Sequence, residues 1–219
     1  MKEQKPKKLA FDLQSWPRRR QFEFYREYED PCFNVTVQLQ VSKLLRFSRE
    51  QGLSFFLCCL YCACEIANSM QEFRLRLDGG KVWEMDSLDI GSTVLMDDDT
   101  FSFCYMERKK SLKDFHVSGQ LALERLKKDG NWNEASGRLD LVYCSFLPWL
   151  NFTSFKHATS SLMNASGIPK FVFGKYHGPK ESLQMPFSIE VHHALMDGLH
   201  VGRFVALLQT KMDQLSLNG

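Results

Sequence analysis

Apolar and polar residues alternate along several short stretches of this chain, and that period of two predicts strands with one buried face. The clearest alternation covers residues 33–39, where four apolar residues alternate with Asn34, Thr36 and Gln38. Two further alternating runs surround a turn at 78–80 and predict a β-hairpin. The predicted strands cover residues 33–39, 73–77, 81–85, 92–96, 100–105, 139–146, 171–173 and 187–191.

Helical signals separate these strands. A predicted helix over 55–68 follows Ser54, a good N-cap residue, and is apolar on nearly every side, which predicts deep burial. The other predicted helices cover 43–51, 111–128 and a final segment that begins after Gly198 and buries Phe204, Leu207, Leu208 and Met212. Hairpins with interspersed helices predict an α+β two-layer sandwich, in which a mixed, largely antiparallel sheet has helices packed on one face.

The composition is that of an ordinary globular protein, with 44% hydrophobic and 25% charged residues. No linker-like stretch divides the chain, so one domain is expected over residues 1–219, with the lysine-rich residues 1–10 flexible. A net charge of +2 gives no general case for a nucleic-acid partner. The N-terminal charges precede no apolar stretch, and the apolar run 55–64 is short of the ~20 residues that span a bilayer. A cytoplasmic enzyme without a membrane partner is the resulting expectation.

The chain has seven cysteines, and four of them lie in the predicted helix 55–68. Cys59 and Cys62 have the spacing of a zinc-binding pair, but no second pair of cysteines or histidines lies at a useful distance. We therefore expect reduced cysteines that act as small core side chains, and no metal site.

Two adjacent histidines, His192 and His193, end the last predicted strand and carry the candidate chemistry. A neutral imidazole removes a proton from an alcohol near pH 7, provided that its ring and tautomer are fixed. Adjacent strand residues point to opposite faces, so His192 and His193 are poorly placed to bind one metal ion. A histidine pair with a purely structural role remains an alternative. Asp197 either orients His193, as in a catalytic triad, or forms an ion pair with an arginine; we favour the structural ion pair.

The segment 192–203 resembles the HHxxxDG signature of the chloramphenicol acetyltransferase family. Other segments that resemble family motifs occur in family order, at 16–19, 22–25, 54–56, 72–76, 86–89, 145–155 and 174–176. The resemblance implies a CoA-dependent acyltransferase-like fold and a homotrimer with active sites at subunit interfaces. It also implies acetyl-CoA as co-substrate, no permanently bound cofactor, and chloramphenicol or a similar small hydroxylated compound as acceptor.

The resemblance also assigns roles to individual residues. His193 would be the general base, Ser145 would stabilise the oxyanion, and Asp197 would form a structural ion pair with Arg18. The implied acceptor-binding residues are Tyr25, Thr93, Phe101, Phe103 and Tyr143. The implied CoA-binding residues are Trp149, Lys175 and Tyr176.

The chain departs from the family pattern mostly around the acceptor. Tyr143 and Phe103 replace smaller residues, Val172 replaces a threonine, and Ser54 replaces a lysine near the CoA phosphate. The loop 156–167 also differs in composition from the usual pocket-lining segment. An acyltransferase with a different natural alcohol is therefore an alternative, as is a non-catalytic binder of a hydrophobic ligand. A lipoamide acyltransferase is disfavoured, because we find no lipoyl or subunit-binding extension.

Overall fold

The computed structural model describes residues 7–130, 137–158 and 166–215. The strands are β1 (Lys8–Ala10), β2 (Cys32–Gln40), β3 (Leu75–Asp78), β4 (Lys81–Met85), β5 (Asp89–Leu95), β6 (Phe101–Met106), β7 (Leu141–Phe146), β8 (Lys170–Phe173) and β9 (Gln184–His192). The helices are α1 (Arg19–Tyr25), α2 (Ser42–Glu50), α3 (Phe55–Ser69), α4 (Gln71–Arg74), α5 (Leu112–Asp129) and α6 (Gly198–Leu215), with a 3-10 turn at Lys180–Ser182.

A six-stranded sheet in the order β2-β9-β8-β7-β5-β6 forms the centre of the fold. The β5–β7 and β7–β8 pairs are parallel, and the other three pairs are antiparallel. A smaller sheet has the order β1-β4-β3. The predicted α+β fold with a mixed, largely antiparallel sheet is confirmed.

One face of the large sheet packs against α3, α5 and α6. Ser54 caps α3 by accepting a hydrogen bond from the Leu57 amide, and α3 is buried along most of its length. Phenylalanine rings fill the space between helices and sheet, with Phe204 of α6 at 4.9 Å from Phe171 and 6.3 Å from Phe187 between ring centroids. The cysteines of α3 are buried and unpaired in this core, as predicted.

Three details differ from the sequence-based predictions. Residues 73 and 74 lie in α4 rather than in a strand, because Phe73 stacks on Phe204 at 4.4 Å and the Phe73 carbonyl accepts a hydrogen bond from the buried Arg76. Leu207 is 44% exposed, because it lies beside the buried stripe of α6 rather than on it. Residues 8–10 form β1 by pairing with β4, whereas residues 1–6 of the predicted flexible segment lie outside the described residues.

The face of the large sheet opposite these helices, called the far face below, carries the alternate set of side chains. Cys144, Phe171, Phe173 and Ile189 point into the helical core, so their sequence neighbours Tyr143, Ser145, Lys170, Val172, Ser188 and Glu190 point to the far face. Among the described helices, none alone is long and apolar enough to cross a membrane; α2 and α3 meet that criterion only as a pair bent by 120°.

Candidate active site

The His193 imidazole is held at the end of the β2–β9 pair. β9 ends at His192, opposite Cys32 of β2, and the next amide, that of His193, donates to the Pro31 carbonyl at 2.8 Å. The imidazole stacks on Tyr25 of α1, with ring centroids 3.8 Å apart and planes within 6°. Phe33 lies 4.6 Å away on another side. These contacts fix the plane of the ring, as a general base requires.

The two ring nitrogens of His193 have different surroundings. Nδ1 is buried without a hydrogen bond and lies 3.4 Å from Oδ1 of Asp197. The side chain as a whole is 29% exposed, so its accessible surface lies away from Nδ1, on the side that carries Nε2. The carboxylate favours a proton on Nδ1, which leaves Nε2 as the basic nitrogen.

Arg18 fixes the turn that follows His193. Its Nε is 2.8 Å and its Nη2 is 2.5 Å from the two carboxylate oxygens of Asp197. The same guanidinium donates to the carbonyls of His193 and Ala194, both at 3.1 Å. Hydrogen bonding to Arg18 lowers the pKa of Asp197, so Asp197 is ionised at neutral pH. The structure therefore contains the Arg18–Asp197 ion pair, which ties α1 to the turn.

His192 is separated from this arrangement, as expected for the neighbouring strand position. It is 3% exposed, and its Nδ1 accepts a hydrogen bond from the Ala194 amide at 3.2 Å. Burial, together with the charge of His193, lowers the pKa of His192 to about 4. A neutral, hydrogen-bonded imidazole in this position holds the turn. Within the described part of the chain, no group of three or more potential ligands is arranged to hold a metal ion.

Ser145 lies on β7, at the far face, with Thr93 of β5 beside it. The Thr93 hydroxyl donates to the Ser145 hydroxyl at 3.0 Å. Phe103 pairs with Thr93 across the β5–β6 ladder, and Tyr143 lies two residues before Ser145 on the same face. Phe101, at the start of β6, is 48% exposed. The structure thus brings together four of the five predicted acceptor-binding residues, whereas the fifth, Tyr25, lies with His193.

His193 and Ser145 are far apart within one chain. Ser145, Val172 and Ser188 occupy one row across β7, β8 and β9. The end of β9 at His192 is four residues beyond Ser188, about 13 Å along the strand, and the two strand spacings add about 10 Å across the sheet. This separation exceeds hydrogen-bond reach several-fold, so His193 and Ser145 of the same chain do not both contact one reacting centre.

The predicted CoA-binding residues form a third group, beyond the ends of β7 and β8. Trp149 is 58% exposed and Tyr176 is 37% exposed. The Lys175 amide donates to the Leu150 carbonyl at 2.7 Å, which joins the two segments that follow these strands. Tyr176 also contacts Phe55, the first residue of α3, with ring centroids 6.1 Å apart.

Comparisons with known proteins show which proteins this chain is similar to. A family profile described as "Chloramphenicol acetyltransferase" matches residues 8–209. The chain is 30% identical over 202 residues to chloramphenicol acetyltransferase 3 of Escherichia coli, covering 91% of this chain and 94% of that protein. It is 28% identical over 207 residues to a chloramphenicol acetyltransferase of Proteus mirabilis, covering 94% and 95%. A solved chloramphenicol acetyltransferase matches it with a TM-score of 0.85 and 25% identity, covering 95% of this chain and 99% of that chain.

The chain belongs to the chloramphenicol acetyltransferase family. The family resemblance of the sequence motifs is therefore confirmed, and the protein is an acetyltransferase. The individual residue roles that the resemblance implied stay predictions.

Sequence reasoning missed two features of the structure near these residues. Phe33 was assigned only to a strand, yet its ring contacts His193. Lys170 and Glu190 form a buried ion pair on the far face, with Nζ and Oε1 2.8 Å apart. The sequence did contain a signal for this ion pair, because each strand has one charged residue among apolar ones. Lys170 precedes Phe171, and Glu190 lies between Ile189 and Val191.

Proposed function

We propose that this protein transfers an acetyl group from acetyl-CoA to a hydroxyl group of chloramphenicol or a similar small alcohol. The observation that carries the proposal is the state of His193, whose ring is fixed by Tyr25 and whose accessible side carries Nε2. Nε2 removes the proton of the acceptor hydroxyl, and the resulting oxygen nucleophile attacks the thioester carbonyl of acetyl-CoA directly.

Ser145 stabilises the tetrahedral intermediate of this reaction. Because Thr93 donates to the Ser145 oxygen, the proton of the Ser145 hydroxyl is directed away from Thr93 and is available to the oxyanion. Collapse of the intermediate breaks the carbon–sulfur bond and releases the thiolate of CoA. The thiolate takes the proton from the His193 imidazolium, which restores the neutral base.

The proposed active site forms between two copies of the chain. The distance between His193 and Ser145 within one chain supports this, because the hydroxyl that His193 deprotonates and the oxyanion that Ser145 stabilises belong to one tetrahedral intermediate. Exposed apolar side chains flank each half: Phe24 and Tyr28 beside Tyr25, and Leu95 and Phe101 beside Thr93. A cyclic homotrimer, which the family resemblance implies, joins one half to the other at each of its interfaces.

The proposed acetyl-CoA site includes Trp149, Lys175 and Tyr176. These residues follow β7 and β8 within three residues, so they lie three or four residues beyond the row that contains Ser145 and Val172. The exposed aromatic rings offer a stacking surface to an adenine, and Lys175 offers a cation to a phosphate. Acetyl-CoA is a co-substrate here and leaves as CoA after each transfer.

A thiol-release assay with acetyl-CoA and chloramphenicol tests the proposal. We expect turnover by the wild-type protein, and a decrease in kcat of about 10³-fold or more for His193→Ala, because a general base contributes about 10²–10⁴-fold. The His193 ring is partly exposed, so the variant should keep the wild-type oligomeric mass and melting temperature. An unchanged kcat in a folded His193→Ala protein, or no thiol release with any alcohol at millimolar concentration, contradicts the proposal.

A further inference from the structure

A cluster of Lys170, Glu190 and His157 lies on the far face of the sheet, apart from the groups that perform the proposed reaction. Lys170 Nζ is 2.8 Å from Glu190 Oε1, and the two side chains are 6% and 4% exposed. The other carboxylate oxygen, Oε2, accepts a hydrogen bond from the His157 amide at 3.3 Å and lies 3.5 Å from His157 Nδ1. Glu190 therefore attaches the segment after β7 to the sheet.

The cluster is adjacent to the proposed acceptor site. Lys170 pairs with Tyr143 across the parallel β7–β8 ladder, and Tyr143 is two residues from Ser145 on the same face. Glu190 pairs with Lys170 across β8 and β9. The cluster therefore lies one row of side chains, about 7 Å along the strands, from the row of Ser145. An acceptor that extends from Ser145 over Tyr143 reaches this cluster.

A buried ion pair by itself adds little to the stability of a fold. Removing two charges from water costs several kcal/mol, and well-packed apolar residues of similar volume often stabilise a fold as well or better. The neighbours of Lys170 along β8 are fully buried apolar residues, Phe171, Val172 and Phe173, so an apolar residue suits the position. The cluster instead places polar groups one row from Ser145, next to the proposed acceptor site.

Glu190 selects the tautomer of His157. Burial opposes ionisation of Glu190, but contacts with His157 and Lys170 outweigh that effect and lower the pKa of its carboxyl to about 2. An ionised carboxylate beside the buried Nδ1 favours a proton on that nitrogen. The side chain of His157 is 18% exposed, so its accessible surface lies away from Nδ1, on the side of Nε2. A neutral imidazole in this tautomer presents Nε2 as a hydrogen-bond acceptor.

We propose that His157 determines acceptor specificity, and that the preferred acceptor is an alcohol with a second hydrogen-bond donor, such as another hydroxyl, which binds His157 Nε2. Glu190 is a positioning residue that sets the orientation and tautomer of His157, and Lys170 neutralises the charge of Glu190. The inference rests on the proposed acetyl transfer and narrows its substrate class. A site built to accept a hydrogen bond discriminates against an analogue that lacks the donor, because the buried polar groups then go unpaired.

The test uses primary alcohols that carry a second hydroxyl, each compared with its methyl ether, in the thiol-release assay. The methyl ether keeps the shape and the oxygen but loses the donor. We expect the wild-type protein to prefer the diol in kcat/KM by about tenfold or more for the best pair. His157→Phe should remove the preference, and His157→Gln, which places a carbonyl near the position of Nε2, should restore part of it.

Lys156→Ala is the matched control, because it removes an exposed ion pair with Asp30 from the same segment. This variant should keep the wild-type preference. Equal kcat/KM values for diols and ethers in the wild-type protein, or an unchanged preference in His157→Phe, overturn the inference while leaving acetyl transfer intact. Absence of turnover with all the alcohols, including chloramphenicol, instead overturns the proposed function on which the inference rests.

Discussion

At the level of single residues, the proposed chemistry depends on which polar atoms carry a proton. The hydroxyl of Thr93 donates to Ser145, the carboxylate of Asp197 faces Nδ1 of His193, and the carboxylate of Glu190 faces Nδ1 of His157. Both histidines therefore have a buried Nδ1 beside an acidic group and an accessible surface on the other side of the ring. One pair serves the proposed proton transfer, and the other serves acceptor binding.

The Thr93–Ser145 hydrogen bond gives a prediction about these two hydroxyls. We expect Ser145→Ala to lower kcat by about 10²–10³-fold, the usual effect of losing one oxyanion donor, with little change in KM. Thr93→Val keeps the shape of the side chain but no longer orients the Ser145 hydroxyl, so kcat should fall by a smaller factor, about tenfold. Steady-state kinetics of the two single variants and the double variant measure both effects.

The double variant shows whether Thr93 acts by orienting the Ser145 hydroxyl or through a contact of its own. If Thr93 acts through Ser145, Thr93→Val has no further effect on kcat in the Ser145→Ala background. If Thr93→Val lowers kcat about tenfold in the Ser145→Ala variant as well, Thr93 does not act by orienting Ser145. Thr93 then contacts the substrate independently.

The motif around His193 could be predicted from the sequence, because alternation places His192 and His193 on opposite sides at the end of a strand. The partners of these residues could not. The stacking of Tyr25 on His193 joins residues from α1 and the end of β9, and the Thr93–Ser145 contact joins two strands that are distant along the chain. The same limit applies to Lys170 and Glu190, whose charges are visible in the sequence but whose pairing depends on strand register.

At the scale of elements, the turn between β9 and α6 depends on Arg18. Its guanidinium holds both the Asp197 carboxylate and two carbonyls of the turn, and its side chain is only 11% exposed. We expect Asp197→Asn to lower the free energy of unfolding at pH 7 by about 1–2 kcal/mol, since Asp197 itself is partly exposed and screened by solvent. Urea denaturation measures this difference.

The pH dependence of the same variant gives a second measurement of that ion pair. Arg18 lowers the pKa of Asp197 in the folded protein, so the stabilisation is complete above the unfolded-state value of about 3.9. It is lost as the pH falls through the lower, folded-state pKa. The stability difference between wild type and Asp197→Asn should therefore shrink below about pH 4.

A matched control comes from the exposed Arg19–Glu23 pair on α1, whose side chains are 45% and 54% exposed. Glu23→Gln should change the free energy of unfolding by about 0.5 kcal/mol or less. An equally small effect of Asp197→Asn, or a difference that does not vary with pH, contradicts the stabilising role of the Arg18–Asp197 pair.

Elements with strong local signals agree with their sequence-based predictions. Ser54 and Ser111 cap α3 and α5, Gly130 ends α5 in the left-handed region, and turns at 79–80 and 97–99 close two hairpins. Elements fixed by distant contacts were missed. β1 has three residues and forms by pairing with β4, and α4 depends on the packing of Phe73 against Phe204.

At the scale of the whole molecule, the sheet order decides how the site is assembled. The order β2-β9-β8-β7-β5-β6 places β8 between β7, which carries Ser145, and β9, which ends just before His193. Local patterns predicted the strands but not this order, because the β5–β7, β7–β8 and β2–β9 pairs join segments that are distant along the chain. Each copy therefore carries both halves of the proposed site, at separate places on its surface.

Co-expression of His193→Ala and Ser145→Ala chains tests this shared site most directly. Each variant alone retains little activity, but a mixed trimer joins an intact His193 to an intact Ser145 at one of its interfaces. Random mixing in equal amounts should restore about a quarter of the wild-type sites in a cyclic trimer. Thiol release near that level, from the whole purified population of trimeric mass, is the result we expect. Activity that stays at the level of the separate variants contradicts a site shared between two copies.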